Sequence, residues 1–288
     1  MALWDKLGNS GNVEDRRGTE TPLLPPGISG SVITLGIVLV LGLLGVRVDP
    51  ALLQQVIDAS GVATQTRQTG QQPTEYQGSD SYETFASTVV GSASQYWSNA
   101  VRAQGLTYSE PRLVLFRTAT RSGCGIATTD MGPHYCPNDQ TIYLDETFFD
   151  VLSAKLGGSN GDVAQAYVIA HEMGHHAQNV LGTMEKVQSS SGGLASTGED
   201  SLSVKLELQA DCYAGLWANS IRDRGVFESP DEIQEAMSAA SAVGDDRIQA
   251  NSTGYVNPET WTHGSAAQRV QWFTRGWETG VVSQCQLL

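Results

Sequence analysis

The hydrophobic pattern contains one long apolar run followed by a region of shorter amphipathic segments. Residues 27–46 read GISGSVITLGIVLVLGLLGV and contain no charged side chain. A helix of this length spans about 30 Å, the thickness of the hydrocarbon core of a bilayer. The pattern predicts a transmembrane helix, with a cleaved signal peptide or a buried core helix as the alternatives.

The regions on both sides of this run are polar. Residues 1–26 are interpreted as a disordered tail on the cytoplasmic side, because Arg16 and Arg17 precede the run. Residues 47–80 are rich in Gln, Thr, Ser and Gly, which is typical of a flexible linker. The folded domain is therefore expected over 81–288, outside the cytoplasm.

Within 81–288 the spacing of apolar residues predicts an α+β domain that is mostly helical. Strands are expected at 112–118 and 141–145, in a small antiparallel sheet, with residues 125–137 as a loop. Helices are expected in five segments, at 82–104, 162–180, 201–224, 230–243 and 265–276. The Ser- and Gly-rich segment 182–200 is interpreted as a lid or a plain disordered connection.

The charge balance excludes one class of partner. The chain has 31 Asp and Glu against 17 Lys and Arg, a net charge of −14, and it contains no basic run. Phosphate binding depends on clustered Lys and Arg, so no nucleic-acid partner is expected. The expected partners are a peptide or protein substrate and a lipid bilayer that binds residues 27–46. The sequence carries no signal for an oligomeric state.

Four cysteines are present, at Cys124, Cys136, Cys212 and Cys285. An even number fits disulfides in an exported domain, and four cysteines allow three pairings. Cys124 and Cys136 flank the predicted loop, which a bridge could close. The alternative is four buried free thiols.

The residues that indicate chemistry begin with His171, Glu172 and His175. Residues four apart on a helix project from one face, so the two imidazoles can bind a single zinc ion. Glu172, beside the first histidine, can reach a water on the same ion and act as its base. The neighbouring residues are apolar, and burying these groups without partners would be costly. Gly174 indicates a close approach to the backbone between the two ligands.

A third ligand is expected from a later helix. Leu181 and Gln178 stand where an extended HExxHxxGxxH motif would have histidine and glycine, so that motif is excluded. Glu207 and Asp211 are four residues apart in an apolar segment. Glu207 would complete three ligands, and Asp211 would accept the free ring N–H of a ligating histidine. The alternative is an acidic pair on an exposed helix face.

An HExxH motif followed by ExxxD resembles the gluzincin metallopeptidases. Nearly the whole chain is similar to the putative neutral zinc metallopeptidase family of bacteria, whose members are membrane-anchored. This resemblance implies one zinc ion per chain, peptidase chemistry, a zincin-like domain and a place at a bacterial cell membrane. Its motifs are 12–18 (NVEDRRG), 135–137 (YCP), 142–145 (IYLD), 171–178 (HEMGHHAQ), 207–215 (ELQADCYAG), 262–265 (THGS) and 268–269 (QR).

The predicted mechanism needs a donor for the developing oxyanion in addition to zinc. His263 is the first candidate, with Tyr255 and His134 as weaker ones. The strand at 141–145 is expected to be a sheet edge that binds the substrate backbone. His176 lies about 140° around the helix from His171 and is interpreted as structural.

Two other functions remain open on the sequence alone. The domain could be a non-catalytic scaffold or binding module that keeps a metal for stability. It could also hydrolyse another amide or an ester with the same residues. A purely structural zinc site usually fills four positions with Cys or His and does not require Glu172, which favours the peptidase.

Overall fold

A computed structural model describes a large part of the chain. The predicted transmembrane segment 27–46 lies outside the described residues, as does most of the predicted linker. None of the helices in the described part is both long enough and apolar enough to cross a membrane. The described residues are 2–8, 11–18, 74–75, 80–190 and 196–288.

Helices dominate the described residues. All five predicted helices are confirmed within a few residues of their expected ends, whereas the helices Phe148–Leu156, Thr183–Ser190 and Asp245–Thr253 were not predicted. The helix Thr183–Ser190 is part of the segment interpreted as a lid or disordered connection, and the role of that segment as a lid stays a prediction. The helices are α1 (Ser81–Arg102), α2 (Phe148–Leu156), α3 (Asp162–Val180), α4 (Thr183–Ser190), α5 (Leu202–Ile221), α6 (Ile233–Ala242), α7 (Asp245–Thr253) and α8 (Ala266–Thr279).

The main sheet is mixed, so the prediction of an antiparallel sheet is wrong. The strands are β1 (Val13–Asp15), β2 (Thr74–Glu75), β3 (Arg112–Leu115), β4 (Ala119–Ser122), β5 (Gly125–Thr128), β6 (His134–Cys136) and β7 (Thr141–Leu144). The strand order in the main sheet is β2-β1-β3-β7-β6; β1 and β7 run parallel to β3, whereas β2 and β6 are antiparallel to their neighbours. A separate hairpin pairs β4 with β5.

Two further predictions about strands are wrong. The predicted loop at 125–137 contains β5 and β6, which are short and too polar or irregular to show a period of two. The strand expected to be a substrate-binding edge, β7, lies between β3 and β6. At this end of the described sheet the edge strand is β6.

The N-terminal residues belong to the domain, so the prediction of a separate tail is wrong for residues 2–8 and 11–18. Val13 is 3% exposed and lies opposite Leu113 in the parallel pair of β1 and β3. The backbone N–H of Leu3 donates to the carbonyl of Val226 at 2.7 Å. The domain therefore includes chain from both sides of the apolar run.

Ion pairs explain why this polar segment is ordered. Glu14 accepts from Arg112 at 2.8 Å, and Arg17 lies 2.8 Å from Glu146 and 3.2 Å from Asp80. Asp80 is also the N-cap of α1, where its side chain accepts two backbone N–H groups. The charges of β1 are thus satisfied by the domain, although the polar sequence of residues 1–26 predicted a disordered tail.

Two glycines allow α5 and α8 to pack with their backbones in contact. A Cβ atom at Gly215 would overlap the carbonyl oxygen of Phe273, and one at Gly276 would overlap that of Cys212. Only glycine permits so short a separation between two helices at these positions. This packing carries Arg269 on α8 to the buried face of α5.

Two disulfides are formed, and both use cysteines predicted to pair. Cys124–Cys136 links the turn between β4 and β5 to β6, with a Cα–Cα distance of 5.8 Å. Cys212–Cys285 links α5 to a 3₁₀ turn, Val282–Cys285, after α8, with a Cα–Cα distance of 5.6 Å. The alternative of four free thiols is therefore wrong.

The packing of Trp4 predicts that the N-terminal residues stabilise the domain. Its ring stacks on Trp217 with centroids 6.4 Å apart, and its Nε1 donates to Asp162 at 2.9 Å. We expect Trp4→Ala to lower the free energy of unfolding by about 2–4 kcal/mol, because an aromatic contact and a hydrogen bond are both lost. Urea denaturation of the full chain measures this change. Exposed Asp5 supplies the control variant, Asp5→Ala, and equal stability of both variants would contradict the prediction.

Candidate metal centre

Helix α3 carries the first part of the site. It is buried along most of its length, and His171, Glu172 and His175 are 6%, 6% and 8% exposed. The rings of His171 and His175 have centroids 4.7 Å apart at an interplanar angle of 88°. The spacing of four residues therefore places both imidazoles on one buried face, as the helical period requires.

Helix α5 brings Glu207 to both histidines. His171 Nε2 lies 3.2 Å from Glu207 Oε2, and His175 Nε2 lies 3.3 Å from Glu207 Oε1. Gly174, between the two histidines, allows the approach: a Cβ there would lie 3.0 Å from the carbonyl oxygen of Ala210. The feature that comes close at Gly174 is therefore the backbone of α5.

These three side chains fit a zinc ion. One nitrogen from each histidine and one carboxylate oxygen lie within 4.8 Å of one another. Zinc binds such atoms at about 2.0–2.2 Å, so neighbouring ligands of a tetrahedral ion are about 3.4 Å apart. Each histidine nitrogen has a Glu207 oxygen near this spacing, at 3.2 and 3.3 Å, and the two distances end on different oxygens of the carboxylate. Three protein ligands leave a fourth position open.

Asp211 connects this ligand set to the rest of the core. Its side chain is fully buried and accepts from His171 Nδ1 at 2.9 Å and from the Tyr167 hydroxyl at 2.6 Å. Arg269 donates to both of its oxygens, at 2.8 and 3.0 Å. A carboxylate on Nδ1 keeps a proton there, so Nε2 of His171 is left for a metal.

Charge coupling determines the protonation of the metal-free site. Burial favours the neutral form of Asp211, but the charges of Arg269 and His171 outweigh it and lower the pKa of Asp211 to about 2. Burial also opposes protonation of His171, yet Asp211 and then Glu207 raise the pKa of His171 to about 10. In His175, Glu207 likewise raises the pKa against the effect of burial.

Glu172 and His175 differ from His171 in their surroundings. Within the described part of the chain, no group donates a hydrogen bond to the Glu172 carboxylate, which leaves that carboxylate free to accept a proton. His175 Nδ1 contacts a neutral amide oxygen, Gln178 Oε1, at 2.9 Å. The two histidines are thus oriented by different chemistry.

His263 lies in a loop that Asp245 organises. One oxygen of Asp245 accepts the backbone N–H groups of Thr262, His263 and Gly264 at 2.8, 2.7 and 3.1 Å. The other oxygen lies 3.3 Å from His263 Nδ1. This hydrogen bond raises the pKa of His263, and the charge of Glu207 adds to the effect. The imidazole, half exposed, therefore lies within electrostatic range of the ligand set.

The weaker candidates, His134 and Tyr255, have different surroundings. His134 stacks on Tyr143, and its Nδ1 contacts the carbonyl of Gly132 at 3.1 Å. Tyr255 is 71% exposed. His176 is fully buried with the Tyr135 hydroxyl 3.0 Å from its Nδ1, which agrees with its interpretation as structural.

Sequence reasoning assigned no role to four residues that support the site: Tyr167, Gln178, Asp245 and Arg269. Tyr167 and Gln178 could have been found, because they lie four residues before His171 and three after His175 on the same helix. No local signal could have indicated what Arg269 or Asp245 contacts, since each reaches its partner only through tertiary packing.

Comparison with known proteins gives a consistent result. The profile of a family described as "Putative neutral zinc metallopeptidase" matches residues 2–288. Uncharacterized protein YpfJ of Escherichia coli K12 is 40% identical over 290 residues, which cover 98% of this chain and 97% of that protein. Uncharacterized protein Rv2575 of Mycobacterium tuberculosis H37Rv is 48% identical over 187 residues, 62% of each chain. No solved structure matches the chain significantly.

The protonation of the ligands predicts how zinc binding depends on pH. With a pKa of about 10, His171 carries its extra proton at pH 7, and zinc must displace it. We expect zinc affinity to rise with pH between 6 and 8, by about tenfold per unit for each proton displaced. Calorimetry in buffers of different ionisation enthalpy counts these protons.

The matched control for this measurement is His134→Gln, which changes a histidine outside the ligand set. It should release the same number of protons as the parent. Equal binding enthalpies in all buffers, or a zinc affinity that does not change with pH, would contradict the protonation described here.

Proposed function

The chain belongs to the putative neutral zinc metallopeptidase family, and from that premise we propose that it is a zinc-dependent peptidase. His171, His175 and Glu207 hold the metal, and Glu172 is the general base. The observation that carries the proposal is that one ligand atom from each of the three side chains lies within 4.8 Å of the other two. Glu172 follows His171 on the same helix, and no group in the described part of the chain donates a hydrogen bond to its carboxylate. A purely structural site does not need such an acid.

When bound, zinc supplies Lewis-acid chemistry, because it lowers the pKa of water to about 7 and polarises a carbonyl. Glu172 accepts the proton from the attacking water at its carboxylate and transfers it to the leaving amine. Asp211 and Arg269 hold His171 in the orientation that presents Nε2. The burial of all these groups excludes bulk water and strengthens their electrostatic interactions.

His263 is the proposed second donor to the oxyanion. Its Nδ1 is engaged by Asp245, which leaves Nε2 to donate to the substrate. The hydrogen bond that His263 donates to Asp245 raises the pKa of His263, which favours the protonated form that donates best. Asp245 also fixes the loop through three backbone N–H groups, so it acts as a positioning residue.

We also propose that residues 27–46 tether the chain to a bacterial cell membrane, with the domain outside the cytoplasm. Two disulfides support an oxidising compartment. A cytoplasmic N-terminus, the orientation expected from the arginines, would require β1 to leave the sheet. Membrane fractionation of the full chain and of a chain without 27–46 tests the tether, and equal distributions would argue against it.

The first test separates the base from the metal ligands. We expect Glu172→Gln to reduce cleavage of an unstructured protein substrate by at least about a thousandfold, because the proton acceptor is lost. Zinc should remain near one ion per chain, because Glu172 is not a ligand. Zinc content and cleavage are measured on the same preparations, with Glu185→Gln, an exposed glutamate of α4, as the matched control.

The outcomes distinguish the competing functions. Zinc in all three proteins, with cleavage only by the parent and Glu185→Gln, would support the peptidase. Zinc without cleavage in any of them would favour the non-catalytic scaffold. Hydrolysis of small esters or other amides, but not of peptides, would favour a different zinc hydrolase. A parent chain that binds no zinc would exclude the proposed site.

His263 gives an independent prediction about the transition state. We expect His263→Gln to lower kcat by about 10²–10³-fold with unchanged zinc content, because one oxyanion donor is removed. Steady-state kinetics with the zinc-loaded chain measures this effect. Tyr255→Phe is the matched control, since it removes an exposed polar group from one of the weaker candidates. A larger loss of kcat in the tyrosine variant would reverse the two assignments.

A further inference from the structure

Two buried side-chain amides and one backbone carbonyl connect His175 to the C-terminal part of the domain. His175 Nδ1 lies 2.9 Å from Gln178 Oε1, and Gln178 Nε2 donates to Gln209 Oε1 at 3.1 Å. Gln209 Nε2 then donates to the carbonyl of Cys285 at 3.0 Å. All four residues are at most 8% exposed. We call Gln178, Gln209 and the Cys285 carbonyl the amide relay.

The relay has a fixed direction. Gln178 Nε2 also donates to the carbonyl of Leu206 at 2.7 Å, so both of its N–H groups are used by oxygens. Only the amide oxygen of Gln178 is left for His175. An oxygen at this place requires a proton on Nδ1, which leaves the Nε2 lone pair free. A reversed amide would place the proton on Nε2, where it would block a metal.

The direction is set at the far end by Cys285. A backbone carbonyl can only accept hydrogen bonds, so the Cys285 carbonyl requires the amide nitrogen of Gln209 to face it. The amide oxygen of Gln209 then faces Gln178. Cys285 lies in the 3₁₀ turn after α8, and the disulfide to Cys212 ties that turn to α5. Cys212 follows Gln209 by three residues on that helix, so the disulfide holds the carbonyl beside the amide that it orients.

We propose that the amide relay positions His175 for metal binding and that the Cys212–Cys285 disulfide is part of this device. The inference rests on the proposed zinc site and extends it: zinc affinity depends on a disulfide that touches no ligand. Gln178 and Gln209 are positioning residues that act through His175. Loss of either amide, or of the disulfide, weakens zinc binding even where the domain stays folded.

The test compares zinc affinities of full-length variants by competition with a chromophoric chelator. Gln178→Met and Gln209→Met keep the volume of the side chain and remove its hydrogen bonds. We expect Gln178→Met to weaken zinc binding by about 10–100-fold, because mutation of the hydrogen-bond partner of a metal-bound histidine typically has an effect of this size. Gln209→Met, one step farther away, should have a smaller effect in the same direction, as should Cys212→Ser combined with Cys285→Ser.

A spectroscopic measurement separates positioning from loss of stability. In the zinc-loaded chain with ¹⁵N-labelled histidine, the Nδ1 proton of His175 should exchange faster with solvent in Gln209→Met than in the parent. The Nδ1 proton of His171, held by Asp211, should be unaffected. A general loosening of the domain would accelerate both protons, so His171 is the internal reference.

Two matched controls lie outside the relay. Asn219 is also on α5, and its Nδ2 donates to the backbone carbonyl of Trp277 at 2.7 Å. Asn219→Met therefore removes a hydrogen bond between a side-chain amide and a backbone carbonyl, like the bond from Gln209 to Cys285. Cys124→Ser combined with Cys136→Ser removes the other disulfide. Both should keep the zinc affinity and the His175 proton exchange of the parent.

The outcomes separate this inference from the function on which it rests. A parent that binds no zinc would overturn the proposed function and the relay together. A parent that binds zinc and cleaves, with Gln209→Met indistinguishable from Asn219→Met in affinity and exchange, would overturn the relay alone. If Gln178→Met does not fold, the same measurements on Gln209→Met and on Cys212→Ser combined with Cys285→Ser decide whether the relay positions His175.

Discussion

The buried ion pair between Asp211 and Arg269 is the interaction on which the rest of the site depends. Both side chains are at most 4% exposed, and a buried charge without a partner would be strongly destabilising. The pair is satisfied by two hydrogen bonds between its members and by Tyr167 and His171 of α3. Three helices must therefore keep one mutual arrangement, and the glycines between α5 and α8 make it sterically possible.

The two histidines of the candidate metal centre are consequently controlled in different ways. His171 faces a carboxylate whose charge is balanced by Arg269, so its basicity depends on an ion pair. The Nδ1 side of His175 faces neutral amides that end on a backbone carbonyl, so hydrogen-bond direction orients that side of the ring. Glu207 contacts both rings and couples the two arrangements. In this site, an ion pair orients one histidine and neutral amides orient the other.

The sequence was sufficient where the relevant spacing is local. Helical periodicity, which operates within a few residues, predicted that His171 and His175 share one face, and ligand chemistry together with apolar neighbours predicted Glu207. The structure brings these three side chains together. The sequence was misleading for β1, because a sequence does not distinguish charged residues that form ion pairs within the fold from charged residues that are exposed to solvent. Arg269 was visible only as part of a motif, since its partner lies 58 residues away on another helix. Parallel pairing of β1, β3 and β7 likewise depends on contacts that no local pattern specifies.

The sheet also restricts how this domain can relate to a membrane. The chain leaves the sheet after Asp15 and is back in it at Thr74, and these two residues are direct register partners in β1 and β2. Both ends of the intervening chain therefore meet at one place in the sheet. A segment that crosses a bilayer once has its ends on opposite sides. A single crossing by 27–46 and an intact β1 thus exclude each other, so any single-pass topology must include a state of the sheet without its N-terminal strand.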